Sequence, residues 1–373
     1  MTSRTMTSAE MQKERQENAS NKIKELGKKI IAQMNAGEPP EIELPIRGAS
    51  NAIYDPKKKM IFPGDKKTKR KYMNVGHTRK FMQTVMVADA CKKELLDKSK
   101  TGTIRDLYYN ILRTLPGTKI QTVDNQTESN EASVDLEVAL GLMREDLNLK
   151  ADKKGSIVGN VIIEDSGDEI DWSKLGSGGW AIPSITEDIQ FKKVKADFIL
   201  YVEKNAIWER LNEDKVWKKL NCILIATQGQ ATRGARRLIN RMSNELDLPV
   251  YVFTDADPYG WYIYSVIKYG SMALAHTSSK LSTPNAKFVG MTIEDIAEHG
   301  LEKHTIKLKP QDIKRAKEMM SYPWFQSKEW QRELKLAVEK GYKAELEALS
   351  KHGIEYISER YIPQKLKKKE FLD

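Results

Sequence analysis

Two carboxylates close an apolar stretch of the chain in an arrangement that could bind a metal ion. Residues 250–254 are apolar, aromatic or β-branched, which predicts a buried strand that ends on Asp255-Ala-Asp257. In an extended backbone, residues two apart point to the same side, so these carboxylates would lie together. A divalent cation would relieve their repulsion in a dry site, and oxygen ligands suit Mg²⁺. The alternative is that Asp257 only caps a helix over residues 261–269.

The elements that would position these carboxylates alternate between strand and helix. The sequence predicts strands over 198–202, 222–226 and 250–254, with helices over 206–211 and 233–245 between them. Such alternation is typical of a mainly parallel sheet flanked by helices, in which ligands lie at the carboxyl ends of the strands. Those ends carry Glu203, Gly229, Asp255 and Asp257. Their convergence predicts a metal site in the second half of the chain.

The first half of the chain is predicted to be mainly helical. Residues 1–20 are expected to be disordered, and residues 42–46 are predicted to form a short strand. Apolar residues recur at helical spacing over 21–34, 79–96, 103–109 and 134–147. Residues 155–164 are expected to form a pair of strands. Three short helices followed by a β-wing describe a winged helix-turn-helix, a module that usually lies in a DNA groove.

These predictions describe an α+β and α/β multidomain protein. We expect four segments: an N-terminal helix and basic arm (1–72), a winged-helix, CAP-like domain (73–164), a connecting segment (165–194), and the sheet domain with C-terminal helices (195–373). At 373 residues the chain is long enough for two or three domains.

The composition favours a basic protein of the cytoplasm. Hydrophobic residues make up 40% of the chain and charged residues 31%, and no apolar run approaches the about 18 residues that a membrane helix needs. We therefore expect no membrane partner. Cys91 and Cys222 lie too far apart in sequence to suggest a disulfide framework or a metal cluster. The net charge of +10 favours a polyanionic partner such as nucleic acid.

Lysine and arginine dominate residues 54–73. One interpretation is a solvated basic hairpin, and the other is an arm that binds phosphates. The cations that would bind DNA in the second case include Lys66, Lys67, Lys69 and Arg70.

The order of three features resembles the Toprim domain of topoisomerases and primases. One strand ends on a glutamate, a glycine turn follows the next strand, and a third strand ends on D-x-D. The amino-acid sequences of three segments are similar to segments of the A subunit of topoisomerase VI, the archaeal type IIB enzyme. They are Val202-Glu-Lys-Asn-Ala206, Thr254-Asp-Ala-Asp-Pro-Tyr-Gly-Trp261 and Arg105-Asp-Leu-Tyr-Tyr109. The resemblance spans residues 70–373. This chain departs from the family pattern after the glycine turn. Ala231-Thr232 stands where Pro-Asp is usual, and Ala235 stands where a threonine is common.

The resemblance implies that Tyr109 is the nucleophile of a DNA-cleaving reaction. Tyr108 suits the alternative role of a packed tyrosine, because successive helical residues point about 100° apart. Arg105 lies four residues before Tyr109, on the same helical face, and would hold a phosphate oxygen or the developing phenolate. The other possibility for Arg105 is an ion pair with Asp106 or Glu145.

The resemblance also implies the metal, the partners and the overall reaction. Glu203, Asp255 and Asp257 would hold Mg²⁺. Lys204, beside Glu203, is expected either to contact a phosphate or simply to be solvated, and Arg233 is a further candidate for DNA contact. A homodimer of this chain would join a GHKL-type ATPase B subunit in an A2B2 heterotetramer associated with the nucleoid. It would break both strands of double-stranded DNA through 5′-phosphotyrosyl links, pass a second duplex and reseal. ATP would bind the B subunit, since this chain has no G-x-x-x-x-G-K-[ST] motif.

Other activities remain open from the sequence alone. The nearest is a stand-alone transesterase of the type that makes meiotic double-strand breaks. A Toprim nuclease would use water in place of tyrosine and would not need the Arg-Asp-Leu-Tyr-Tyr helix. A haloacid-type phosphatase has D-x-D after its first strand, whereas here the motif follows the third. A DNA-binding scaffold without catalysis would not need the tyrosine and the three acids.

Overall fold

The computed structural model describes residues 7–373, which divide into two compact units. One comprises the chain up to Ile53 with Pro63–Asp152 and Met272–His276. The other comprises Tyr54–Phe62, Lys153–Ser271 and Thr277–Asp373. No helix within the described residues is both long enough and apolar enough to cross a membrane.

The first unit begins with a long helix, Ser8–Asn35. Thr7 and Glu10 form a capping box at its start, in which the amide of Glu10 donates to Thr7 Oγ1 at 3.2 Å. The expectation of disorder over 1–20 is therefore wrong for residues 7–20, and its first six residues lie outside the described part of the chain. In the first half of this helix, the buried face is made of small and polar residues such as Gln16 and Ala19. This part of the helix therefore lacks a strong apolar stripe.

Three further helices share one core with this first helix. Their bounds are Val75–Ala90, Ile104–Ile111 and Gln126–Leu140, and a π-helical turn, Cys91–Leu96, continues the first of them. Buried members of the core include Ala19, Val87, Cys91, Leu107, Ile111 and Leu136. The helix predicted over 134–147 thus begins and ends earlier. Asn125 caps its start through the amide of Glu128, and Gly141 ends it in the left-handed conformation, φ 61°.

Two short strand pairs complete the first unit. Glu41–Pro45 pairs antiparallel with Lys67–Lys71, and Ile42 and Leu44 turn inward against Phe81. Gly102–Thr103 pairs in parallel with Leu149–Lys150, immediately before the helix Ile104–Ile111. A further short pair, Ala52–Asp55 with Met60–Pro63, belongs mostly to the second unit.

A six-stranded sheet forms the centre of the second unit. Its strands in spatial order are Trp180–Ala181, Ser156–Val158, Cys222–Ala226, Phe198–Val202, Val250–Phe253 and Lys287–Gly290. The last four run parallel, and the first two are antiparallel additions. Every residue of Cys222–Ala226 is buried, as is typical of a parallel strand covered on both faces. The predicted mainly parallel sheet is confirmed.

Helices follow each of the three inner parallel strands, as the alternation predicted. They are Asn205–Glu213, Arg233–Glu245 and Pro258–Lys268, the last beginning earlier than the predicted 261–269. The remaining α-helices of the second unit are Val216–Lys219, Ser278–Leu281, Ile293–Glu298, Pro310–Met320, Lys328–Lys340 and Ile362–Lys368. A two-stranded pair, Ile306–Lys307 with Tyr342–Lys343, lies among them.

Residues 155–164 contain strands, but these strands do not pair with each other. Ser156–Val158 joins the central sheet, while Val161–Asp165 lies between Asp168–Asp171 and Gln190–Val194 in a separate three-stranded sheet. The strand pair expected over 155–164 is thus wrong, and the expected connecting segment contains strands. The signal that was missed is Ser166-Gly167. Their φ values of 56° and 91° suit a tight hairpin turn between Val161–Asp165 and Asp168–Asp171.

Candidate active site

The predicted meeting of acidic residues at the carboxyl ends of the parallel strands is observed. Val202 lies opposite Phe253 in the parallel register, and the amide of Glu203 donates to Phe253 O at 3.1 Å. The amide of Asp255 in turn faces Glu203 Oε2 at 3.4 Å. The sheet register alone therefore brings Glu203 and Asp255 together across 52 positions of sequence.

Burial makes the negative charges of this pair unfavourable. Asp255 is only 7% exposed, and Glu203 is half-buried. Burial, followed by repulsion from Asp255 and Asp257, raises the pKa of Glu203 to about 7. Burial raises the pKa of Asp255 to about 6, although the nearby Lys204 opposes this shift. Such a pair is stabilised by any cation that approaches it.

Lys204 already approaches Asp255. Its Nζ lies 3.0 Å from Asp255 Oδ2, 2.7 Å from Glu347 Oε2 and 3.3 Å from Glu345 Oε2. The other oxygen of Asp255, Oδ1, accepts the amide of Leu346 at 2.8 Å. Lys204 was expected to contact a phosphate or to be solvated, but the structure engages its ammonium group with three carboxylates.

Asp257 has the capping role that the sequence left open. Its Oδ1 accepts the amide of Gly260 at 2.6 Å and so caps the helix Pro258–Lys268. Its Oδ2 lies 3.2 Å from Lys343 Nζ. Gly260 is required by the close approach of the chain, because a Cβ there would lie 2.7 Å from Asp255 O. Capping uses one oxygen of Asp257 and does not exclude metal binding.

The glycine turn supports the same edge of the sheet. The amide of Gly229, at φ 98°, donates to Glu203 O at 3.0 Å. The buried Tyr201 hydroxyl contacts Thr227 Oγ1 at 2.6 Å and donates to Gly229 O at 3.0 Å. Arg233 begins the next helix and is 7% exposed, so little of the side chain expected to contact DNA reaches the surface.

The other candidate residues lie on the helix Ile104–Ile111 of the first unit, which we call the tyrosine helix. Thr103 and Asp106 form its capping box, and the amide of Asp106 donates to Thr103 Oγ1 at 3.0 Å. Tyr108 is half-buried against the helical core, whereas Tyr109 is 64% exposed. The structure therefore separates the two tyrosines as their angular offset predicts.

Arg105 shares the exposed face of Tyr109. Both residues are exposed and lie four positions apart on the tyrosine helix. The carboxylates proposed as its alternative partners have other donors: the amide of Thr103 donates to Asp106 at 2.8 Å, and Arg144 Nε to Glu145 at 3.0 Å.

The cations of the basic arm are largely engaged within the first unit. Lys67 pairs with Glu43 at 2.7 Å and Lys69 with Glu41 at 2.6 Å, both across the strand pair. The two further contacts are Arg70 with Asp135 at 2.8 Å and Lys66 Nζ with Ser50 O at 3.1 Å. These contacts argue against a free phosphate-binding arm, but Lys67–Lys71 pairs with Glu41–Pro45 and not within a hairpin over 54–73.

A second acidic group, Asp295 with Glu298 and His299, has ligand atoms close enough for a metal ion. Asp295 Oδ2 already accepts hydrogen bonds of 2.8 Å from the amide of Thr292 and from the Tyr361 hydroxyl. Lys365 Nζ lies 2.5 Å from Asp295 Oδ1. Both lone pairs of Asp295 Oδ2 thus have donors and Oδ1 faces an ammonium group, so we assign this group a structural role.

Sequence analysis missed the contribution of residues 342–347 to the acidic site. Lys343, Glu345, Leu346 and Glu347 all contact the acids or Lys204. No local signal marks them, since they lie between 86 and 143 positions from their partners.

Three family models match successive parts of the chain. "Type IIB DNA topoisomerase" matches residues 79–149 and "All-beta domain in DNA topoisomerase VI alpha subunit" matches 153–195. The model of the Toprim domain shared by the topoisomerase 6 A subunits and Spo11 matches 198–366, which includes all three acids. The expected Toprim domain is thus confirmed.

Individual relatives are similar over almost the whole chain. The A subunit of type 2 DNA topoisomerase 6 from Pyrococcus abyssi is 46% identical over 361 residues, covering 94% of each chain. The proteins of the same name from Pyrococcus horikoshii and Sulfurisphaera tokodaii are 45% and 38% identical, covering 94% and 98% of each chain. This chain therefore belongs to the family of the A subunits of topoisomerase VI, the type IIB DNA topoisomerases.

Proposed function

We propose that this chain is the DNA-cleaving subunit of a type IIB topoisomerase and that Tyr109 is its nucleophile. The observation that carries the assignment of the residue is the exposure of Tyr109 on a capped helix whose other tyrosine is packed into the core. A nucleophile must reach a phosphate of DNA, and in this pair only Tyr109 has most of its surface free to do so.

The reaction exchanges one phosphate ester for another. The Tyr109 phenol gives up its proton and its oxygen attacks the phosphorus. The bond from phosphorus to the 3′ oxygen breaks, and the leaving 3′ oxygen takes up a proton, so that no net proton is gained or lost. A 5′-phosphotyrosyl ester remains, so the reverse attack by the 3′ hydroxyl reseals the strand without an energy source. A phenol ionises near pH 10 in water, and a neighbouring cation favours its charged form. Arg105, on the same exposed face, is the group that we assign to this task.

The acidic site fits a divalent cation by the chemistry of its donors. Glu203, Asp255 and Asp257 supply only carboxylate oxygens, the ligands that Mg²⁺ prefers. The raised pKa of the Glu203 and Asp255 carboxyls reflects a concentration of buried negative charge that a cation offsets. When bound, Mg²⁺ supplies positive charge beside the reacting phosphate. The three residues would hold it, and Lys204 pairs with Asp255 at 3.0 Å.

The working assembly combines two copies of this chain with a partner ATPase. We assign ATP to a separate GHKL-type B subunit. The assembly is an A2B2 heterotetramer. It acts on double-stranded DNA in the cytoplasm, in association with the nucleoid. The helices of the first unit share one core around the tyrosine helix, which supports their interpretation as a winged-helix, CAP-like DNA-binding module. The segment boundaries at residues 72, 164 and 194 belong to the same proposal.

A covalent-adduct assay tests the function and the nucleophile together. The purified chain, the partner ATPase, ATP, Mg²⁺ and end-labelled duplex DNA are mixed and quenched with detergent. We expect protein attached to 5′ ends, adduct below detection with Tyr109→Phe, and adduct retained with the matched Tyr108→Phe. Adduct that persists in Tyr109→Phe would mean that another residue is the nucleophile. Cut DNA with free 5′ phosphates in the wild type would indicate a hydrolytic nuclease.

A further inference from the structure

Residues 342–347, which we call the 342–347 segment, contact both aspartates of the D-x-D motif. Backbone hydrogen bonds join Ala256 and Ala344 in both directions, at 3.0 and 3.3 Å. The amide of Leu346 reaches Asp255 Oδ1 at 2.8 Å, and Lys343 Nζ reaches Asp257 Oδ2 at 3.2 Å. The motif is therefore held along its whole length by one segment that is distant in sequence.

Lys343 is itself fixed by a second carboxylate. Its Nζ lies 3.3 Å from Asp312 Oδ1, and its side chain is mostly buried. Asp312 is buried and belongs to the capping box of the helix Pro310–Met320, where its Oδ2 accepts the amide of Lys309 at 2.8 Å. Because a helix start holds Asp312, the ammonium group of Lys343 has a rigid anchor in addition to Asp257.

Asp257 is consequently restrained through both of its oxygens. Oδ1 accepts the amide of Gly260 at 2.6 Å, and Oδ2 faces Lys343. A carboxylate oxygen has two lone pairs, so each can still accept a further partner. The restraint removes rotation of the carboxyl group, which would otherwise be lost when a ligand binds.

We infer that Lys343, anchored on Asp312, is a positioning residue that orients Asp257 toward a divalent cation. The inference rests on the proposed function, in which Asp257 belongs to the metal site. Outer partners that orient ligating carboxylates contribute about 10–100-fold to metal affinity or activity.

An alternative effect of Lys343 is simple repulsion of the metal by its positive charge. Asp312 argues against it, because its negative charge lies 3.3 Å from the same ammonium group and offsets it. The two interpretations predict opposite signs. Loss of orientation weakens metal binding when Lys343 is removed, whereas loss of repulsion strengthens it.

The test is a titration of the full chain with Mn²⁺ in the absence of DNA and partner. Electron paramagnetic resonance measures the free and bound Mn²⁺. We expect Lys343→Met to bind Mn²⁺ about 10–100-fold more weakly than the wild type. Lys343→Arg, which keeps a cation that can bridge both aspartates, should recover most of the affinity. The matched control is Lys335→Met, on the exposed face of the helix Lys328–Lys340, and it should bind like the wild type.

A fourth variant tests the anchor of Lys343 on Asp312. Asp312→Asn keeps Lys343 and a helix cap but removes the anchoring charge, and we expect affinity between those of the wild type and Lys343→Met. Unchanged or tighter binding by folded Lys343→Met would overturn the inference. If Lys343→Met does not fold, unchanged binding by Asp312→Asn would overturn it instead. No Mn²⁺ binding by the wild type would overturn the proposed metal site as well, so the two failures are distinguishable.

Discussion

The amide of Leu346 donates a hydrogen bond of 2.8 Å to Asp255 Oδ1, although the two residues lie 91 positions apart. Asp255 is almost completely buried, and a buried carboxylate is destabilising unless hydrogen bonds or opposite charges surround it. Leu346 supplies one such bond, and Lys204 supplies the charge at 3.0 Å. The acidic site is thus assembled by the strand ends and completed by a segment near the end of the chain.

The two neighbouring tyrosines should differ in their effect on stability. Tyr108→Ala removes a ring that packs on the helical core, and we expect it to lower the free energy of unfolding by about 1–3 kcal/mol. Tyr109→Ala removes a mostly exposed ring and should change that free energy by about 0.5 kcal/mol or less. Urea unfolding followed by circular dichroism measures both. Equal losses would mean that the two rings contribute alike to the core.

Gly260→Ala should disturb the D-x-D turn. The added Cβ would lie 2.7 Å from Asp255 O and 2.8 Å from Thr254 Oγ1, so the backbone must shift. We expect a loss of about 1–3 kcal/mol in the free energy of unfolding, together with weaker Mn²⁺ binding. Gly178→Ala is the control, because nothing lies within 4 Å of a Cβ at that position. Wild-type stability and metal binding in Gly260→Ala would contradict the close approach.

Glu333 should make stability depend on pH. It is 1% exposed, and burial raises the pKa of its carboxyl to about 7, against 4.5 for an ordinary glutamate. Because the folded state holds the proton more tightly than the unfolded state, Glu333 favours folding most at low pH. This contribution is lost as the pH rises from about 4.5 to about 7.

The variant Glu333→Gln should remove this part of the pH dependence. Glutamine cannot ionise, and its amide oxygen can still accept the hydrogen bond that the amide of Ile293 gives to Glu333 at 2.7 Å. We expect the variant to be more stable than the wild type at pH 8 by on the order of 1–3 kcal/mol, with a smaller difference at pH 5. Thermal unfolding of both proteins across this range measures the effect. Parallel profiles for the two proteins would show that Glu333 ionises as an exposed glutamate does.

The pattern of neighbouring residues was sufficient to predict elements whose signal lies within a short stretch of sequence. The strands Phe198–Val202 and Cys222–Ala226 are continuous apolar runs, and the capping box at Thr103 marks the start of the tyrosine helix. Alternation of strand and helix then implied a parallel sheet, and a parallel sheet brings its strand ends together. The meeting of Glu203 with Asp255 follows from that argument without any side-chain detail.

Local pattern failed where pairing or burial depends on distant partners. Ser156–Val158 and Val161–Asp165 were correctly expected to be extended, but extension does not specify a partner, and each joined a different sheet. The start of the helix Ser8–Asn35 buries residues as small or polar as Ser8, Gln16 and Ala19, so its sequence resembles a solvated segment. In both cases the deciding contacts are with residues far along the chain.

The sequence by itself determined the family, the parallel sheet, and the types of residue at the strand ends and on the tyrosine helix. Each of these depends on residue type, spacing and period, which are properties of neighbouring positions. The tertiary structure alone decided that Lys204 and Lys343 pair with the acids and that Asp312 and Leu346 complete the site. Such contacts depend on how the chain folds back after 31 to 91 residues, and short-range periodicity holds no information about them.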